Sequence, residues 1–279
     1  MERAPSRTAV SVALRRAAHQ QHDSPVVFPD PIAIPILGDT YAELLRRTPL
    51  REDRPYSVAL RAFLVARSQY AEESLKQAVE SGVRQYVLLG AGLDTFAYRN
   101  PYDYLRVFEV DHPATQEWKR ELLRRSSIAI PDSLTFTPID FETQSLAELL
   151  AETGFDATAP AFFAWLGVVP YLTLESFRAT VEFIAGRSPG TGVVLDYIKP
   201  RSVLTPLEQL ARDSQASRVE KAGEPFQLFF TPEEMAVELS CFRAIEDLGC
   251  DDINARYFSG RTDQLKLLGN TGRFVSARL

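Results

Sequence analysis

The sequence predicts an α/β protein: a mostly parallel, seven-stranded Rossmann-like sheet with helices on both faces and an N-terminal helical cap. Three observations carry this expectation. Short apolar runs alternate with helical patterns from Val83 onward, as βαβ units require. The first of those runs breaks at a Gly-Ala-Gly turn in "VLLGAGLDTFAYRN". The first eighty residues, by contrast, contain no β-run.

In order along the chain, residues 1–82 read as the cap. "TAVSVALRRAAHQ" is helical in period, and "FPDPIAIPIL" interrupts it with Pro29, Pro31 and Pro35. A long helical pattern runs from about Tyr56 to Glu80, with Ala59, Phe63, Ala66, Tyr70 and Leu75 near one face and Gly82 as its stop. Residues 83–279 read as the α/β domain. Its strand candidates are "RQYVLLG", "YLRVFEVD", "LTFTPID", "PAFFAWLGVVPYL", "TGVVLDYI", "FRAIEDLG" and "GRFVSARL", the last closing the sheet as an antiparallel edge. "PATQEWKRELLRR", "TQSLAELLAETG" and "LTLESFRATVEFIAG" are the intervening helices. The polar stretch 201–224 reads as a lid-like insertion, helix or loop, over the site. "TPEEMAVELS" then opens a helix with Thr231 as N-cap and Pro232 in first position.

Bulk properties narrow the function. With 279 residues, 45% of them hydrophobic and a net charge of −6, the chain can bury a large core and carries no basic block suited to nucleic acid. Its apolar runs fall short of the roughly 18 residues that suggest a membrane span. Arginines interrupt the N-terminal segment, which therefore lacks the apolar stretch of a secretory signal. Cys241 and Cys250 have neither metal-ligand nor redox spacing, which fits a cytosolic protein with reduced thiols.

The glycine turn admits two readings, a ligand cradle or a purely structural turn. A dinucleotide fingerprint needs a third glycine, and Thr95 stands there instead. Asp94 also puts a carboxylate where a pyrophosphate would lie. Beyond it, "VFEVDHP" places Glu109 and Asp111 about twenty residues after Gly90, where an acid can accept bonds from ribose hydroxyls. "TPIDFE" places Asp140 and Phe141 where a carboxylate and a ring could receive an adenine. All three features lie at carboxyl ends of strands, the ligand edge of an open α/β sheet. A nucleoside without phosphates fits this set better than NAD.

"VRQYVLLGAGLDTFAYR" followed by "FEVDHPATQEWKRELL" resembles the leucine carboxyl methyltransferase family and its bacterial small-molecule relatives, including those acting on polyketide carboxylates. The resemblance runs from about Thr8 to the C-terminus and is densest from Arg67 to Thr173. It implies the seven-stranded S-adenosylmethionine-dependent methyltransferase fold. It further implies Arg67 on the cofactor carboxylate, Gly90, Ala91 and Gly92 against the methionine and ribose portion, Asp111 on the ribose, and Asp140 and Phe141 at the adenine. Leu166 stands where the eukaryotic enzymes have a glutamate, which argues against a protein C-terminus as acceptor.

Other residues carry paired readings. Arg15 and Arg16 can reach the cofactor from the N-terminal helix or form an exposed cationic face. Tyr171, after Pro170, can face the acceptor or pack as a helix-entry residue. His19, His22 and His112 show no metal spacing, and His112 reads as a helix-entry residue before Pro113. Asp251 and Asp252 read as a solvated loop; Glu72, Glu73, Glu233 and Glu234 read as surface charge.

The implied activity is O-methyl transfer to a carboxylate of a small metabolite, with residues 201–224 and the cap forming an acceptor pocket that holds Phe226, Phe229 and Phe230. Such an acceptor is already anionic at neutral pH and needs no general base, whereas a hydroxyl would. The expected partners are a small-molecule acceptor, no nucleic acid and no membrane. The alternative is a ligand-binding protein that keeps the fold without turnover.

Overall fold

The computed structural model describes residues 7–47, 55–139, 144–221 and 223–279. Among these, three helices precede the sheet: α1 (Arg7–His22), α2 (Gly38–Arg47) and α3 (Pro55–Glu80). The strands are β1 (Gln85–Leu89), β2 (Arg106–Asp111), β3 (Leu134–Pro138), β4 (Phe162–Trp165), β5 (Gly192–Ile198), β6 (Ala244–Leu248) and β7 (Gly272–Arg278). Between them lie α4 (Pro113–Arg125), α5 (Leu146–Glu152), α6 (Leu174–Ala185), α7 (Pro206–Lys221), α8 (Pro232–Glu238) and α9 (Cys250–Tyr257).

The sheet order is β3-β2-β1-β4-β5-β7-β6, with β7 antiparallel to both neighbours. The expectation for β7 is half right. It is antiparallel, but it is an inner strand, and β6 takes the edge. β7 can lie inside because "FVSA" buries Phe274, Val275 and Ala277, whereas Ala244, Ile245 and Glu246 of β6 are exposed.

Strand β1 illustrates why the sheet is covered on both faces. Side chains alternate across a strand, so Tyr86 and Leu88 enter one core while Val87 and Leu89 enter the other. The first core is closed by Val65, Ala66, Tyr70 and Leu75 of α3, and the second by Phe177, Val181 and Ile184 of α6. Nearly every face of α3 is buried, because it packs on the sheet while α1 packs on it. Two helices escape a reading of the sequence. α2 sits behind a proline-rich stretch, and α9 starts directly after β6 on a Gly249 N-cap. Asp251 and Asp252 therefore occupy a first helical turn rather than a loop, and Asp252 accepts the Gly249 N–H at 2.9 Å.

Candidate active site

The chain leaves β1 for β2 and β3 on one side and returns to β4 on the other. The carboxyl ends of β1 and β4 therefore border a crevice, the usual ligand position in an open sheet. A cleft of about 1450 Å³ opens there, lined by the glycine turn, Asp111, Arg67, Leu166 and Tyr171. That exceeds the roughly 300–1,000 Å³ of a single small-molecule site, leaving room for a cofactor and an acceptor together.

The turn is built for close approach. Gly90 has φ +69°, and a Cβ there would lie 2.4 Å from Cγ2 of Val168, which follows β4. The amides of Gly90 and Ala91 both donate to the Val110 carbonyl, at 2.8 and 3.1 Å. Asp111 accepts the Gly92 N–H at 2.5 Å on one oxygen and its neighbour His112 N–H at 2.7 Å on the other. Burial pushes its carboxyl up, against those two amide bonds. Glu109, the other acid of this strand, is fully buried on Lys119 at 2.7 Å, so Asp111 alone of the two faces the cleft. His112 caps α4, its Nδ1 accepting the Ala114 N–H at 3.2 Å, in agreement with the helix-entry reading.

No α-helix follows the turn. β1 leads instead into a short 3₁₀ helix, Phe96–Arg99, so the helix N-terminus that a pyrophosphate needs is missing. Thr95 is fully buried. Its hydroxyl donates to Asp30 at 2.7 Å and accepts from Arg16 at 2.7 Å. Arg16 also pairs with Asp30 at 2.7 Å, and Arg99 reaches both Asp30 and Glu72. Arg16 is thus no exposed cation, and Glu72 is no surface charge; both lock α1 and α3 to the turn. Glu73 is only partly exposed, held by Arg256 at 2.9 Å and Tyr257 at 2.8 Å, while Glu234 completes the α8 capping box.

Arg67 points from α3 to the β4–β5 end of the cleft. It donates to Asp196 at 3.0 Å, and Asp196 also accepts the Gly167 N–H at 2.5 Å. A Cβ on Gly167, at φ +71°, would lie 2.7 Å from the guanidinium. The Arg67 Nε is buried without a partner. Tyr171 lines the cleft against the Phe226 ring at 5.2 Å. Burial, reinforced by Glu224, holds its phenol well above the usual range, so it stays a proton donor. Of the three phenylalanines expected in the pocket only Phe226 is there. Phe230 is buried against Phe177, and Phe229 stacks on Arg212. Asp140 and Phe141 lie outside the described residues; the preceding Ile139 lines the cleft. Among the described residues no cluster of three metal-type ligands occurs, and no helix is long and apolar enough to cross a membrane.

Residues 9–185 match the leucine carboxyl methyltransferase family. The chain belongs to that family. A Bacillus subtilis protein provisionally named an S-adenosyl-L-methionine-dependent methyltransferase is 33% identical over 290 residues, covering 93% of each chain. A similarly named Mycobacterium avium protein is 29% identical over 237 residues, covering 77% of this chain and 72% of its own. A crystal structure of a DUF574 family protein from Streptomyces avermitilis shares the fold, with a TM-score of 0.58 at 16% identity over 96% of each chain. The family's cofactor suits the residues present. The acid of Asp111 reaches into the cleft beside a turn with no phosphate-binding helix, and a buried, partly unsatisfied guanidinium stands opposite.

Proposed function

We propose that the protein is an S-adenosylmethionine-dependent O-methyltransferase whose acceptor is the carboxylate of a small metabolite. When bound, the cofactor supplies a methyl group activated by a cationic sulfur. In this reading Asp111 holds the ribose, Arg67 the cofactor carboxylate, and Gly90, Ala91 and Gly92 the strand-end cradle, with Asp140 and Phe141 at the adenine. Tyr171 donates a hydrogen bond that orients the acceptor. Residues 1–82 supply walls of the site, and residues 201–224 cover it.

The observation that carries the reading is the state of the cleft's proton acceptors. In this reading Asp111 is given to the ribose, while Asp196 accepts from Arg67 and an amide, and Asp94 accepts the Phe96 N–H at 2.8 Å. His112 spends its Nδ1 on the Ala114 N–H at 3.2 Å. An acceptor that arrives already ionised needs none of them. The protein then has to align nucleophile, methyl and sulfur and exclude water.

A second reading rests on Glu224, which lines the cleft, accepts the Thr8 hydroxyl at 2.7 Å and can serve as base for a hydroxyl acceptor. Methyl-labelled cofactor separates the two. A carboxylate acceptor gives an alkali-labile ester, and Glu224→Gln leaves the chemical step intact. An alkali-stable ether, lost with Glu224→Gln, favours the hydroxyl reading. Cofactor binding without transfer to any acid or alcohol tested would favour a non-catalytic ligand-binding protein.

A further inference from the structure

The protein carries a net charge of −6, yet three arginines line the cleft from two helices: Arg15 on α1, with Arg212 and Arg218 on α7. Three other arginines of the cap each have an acid. Arg16 pairs with Asp30 at 2.7 Å, Arg61 makes a bidentate pair with Asp23 at 2.8 Å, and Arg67 pairs with Asp196 at 3.0 Å.

The α1–α7 group breaks that pattern. Arg15 donates to the Ser11 carbonyl at 3.0 Å and to the Ser11 hydroxyl, and Arg218 to the Ser214 carbonyl and hydroxyl at 3.2 and 3.0 Å. Among the described residues neither has a carboxylate partner. Arg212 reaches Asp213 only at 3.6 Å, an acid that Arg201 already holds at 3.1 Å. The Nε atoms of Arg15 and Arg212 are buried without partners. Burial, then the charges of Arg218 and Arg61, pull the Arg15 guanidinium down to about 10. The partly buried Arg15 feels the like charge of the exposed Arg218, and an incoming anion relieves that repulsion.

We propose that Arg15 and Arg218 form the acceptor's anion subsite, gripping a carboxylate-class group between α1 and α7. The name acceptor rests on the methyltransferase reading above. The Thr8–Glu224 bond ties the start of α1 to the chain three residues past the end of α7. The neighbouring Tyr171 and Phe226 rings supply an apolar wall. The substrate class is therefore an acid with an apolar body, rather than a sugar acid or a free amino acid.

Benzoate, phenylacetate and octanoate, each beside its neutral amide, are titrated onto the protein saturated with S-adenosylhomocysteine, following melting temperature and heat of binding. The expected result is that at least one acid stabilises more than its amide. Arg15→Gln and Arg218→Gln should each weaken that acid about tenfold, while Arg218→Lys weakens it less. Both Gln variants should melt no lower than the parent when empty, since each removes a like-charge repulsion. Acids and amides that act alike overturn the proposal. So does a loss of S-adenosylhomocysteine affinity in Arg15→Gln with the acid unaffected, which would assign Arg15 to the cofactor's carboxylate. An acid bound through both arginines but methylated elsewhere as an ether would sink carboxylate methylation and leave this subsite standing.

Discussion

Asp111 holds two backbone amides from a position that also faces the cleft, and this double duty can be tested. Asp111→Asn keeps one acceptor oxygen and loses the charge. We expect cofactor binding to weaken by ~1–3 kcal/mol and the empty protein to lose only about 1 kcal/mol, because α4 is capped by His112 and not by Asp111. Calorimetry and melting curves, with and without cofactor, check both halves; a large loss in the empty protein with cofactor affinity intact would mark Asp111 as structural. Arg67 behaves differently. Arg67→Ala strands the buried Asp196, so about 3 kcal/mol of stability should go along with cofactor affinity. The double variant Arg67→Ala/Asp196→Asn should recover most of the melting temperature and none of the affinity. The place of the turn and of Asp111 at the cleft was legible in the sequence because each sits at the end of a readable strand, whereas Arg67 came only through the family resemblance. Their partners were not: Asp196 lies 129 positions from Arg67, and Asp30 lies 65 from Thr95. Only the fold brings such pairs together.

At the level of elements, β2 and α4 are joined by a fully buried ion pair, Glu109 to Lys119. Burial pushes the Glu109 carboxyl up to about 7, against the opposing pull of Lys119. The folded protein therefore binds this proton more tightly than the unfolded chain, whose value lies near 4.5. Stability from this group is full below about pH 4.5 and is lost as pH rises through about 7, by up to ~3 kcal/mol. Denaturant melts from pH 4.5 to 8 should show that decline, and the paired replacement Glu109→Gln/Lys119→Met should flatten it. An unchanged slope would place the titration elsewhere. Most elements were readable from period and caps, down to Thr231 at the start of α8. α9 was hidden because its eight residues mix charge with only two buried side chains, Cys250 and Ile253, too few to show a helical period.

For the molecule as a whole, the informative strand is β7. It pairs with β5 along seven residues and with β6 along five, so among the described residues it alone joins β6 to the rest of the sheet. Truncation after Gly269 should abolish cooperative unfolding and leave the β5 edge open to aggregation, seen by circular dichroism and light scattering. A truncated chain that still melts in one sharp transition would show that the remaining strands suffice. The alternation of strands and helices was clear in the sequence. The sheet order was not, because a strand's place depends on the pairing of distant segments; the last strand reads as an edge until its neighbours are known.

That inner position orders events as the chain leaves the ribosome. The strands that carry the glycine turn, Asp111 and the Leu166–Val168 bend are complete once β5 has emerged, by residue 198. β6 must wait, because the strand it pairs with is made after it. The wall from Leu267 to Gly272, which also faces the cleft, comes later still. A nascent chain can thus assemble its nucleoside half while the opposite half remains open to water, and the pocket closes only when β7 pairs with β5 and brings β6 into the sheet with it.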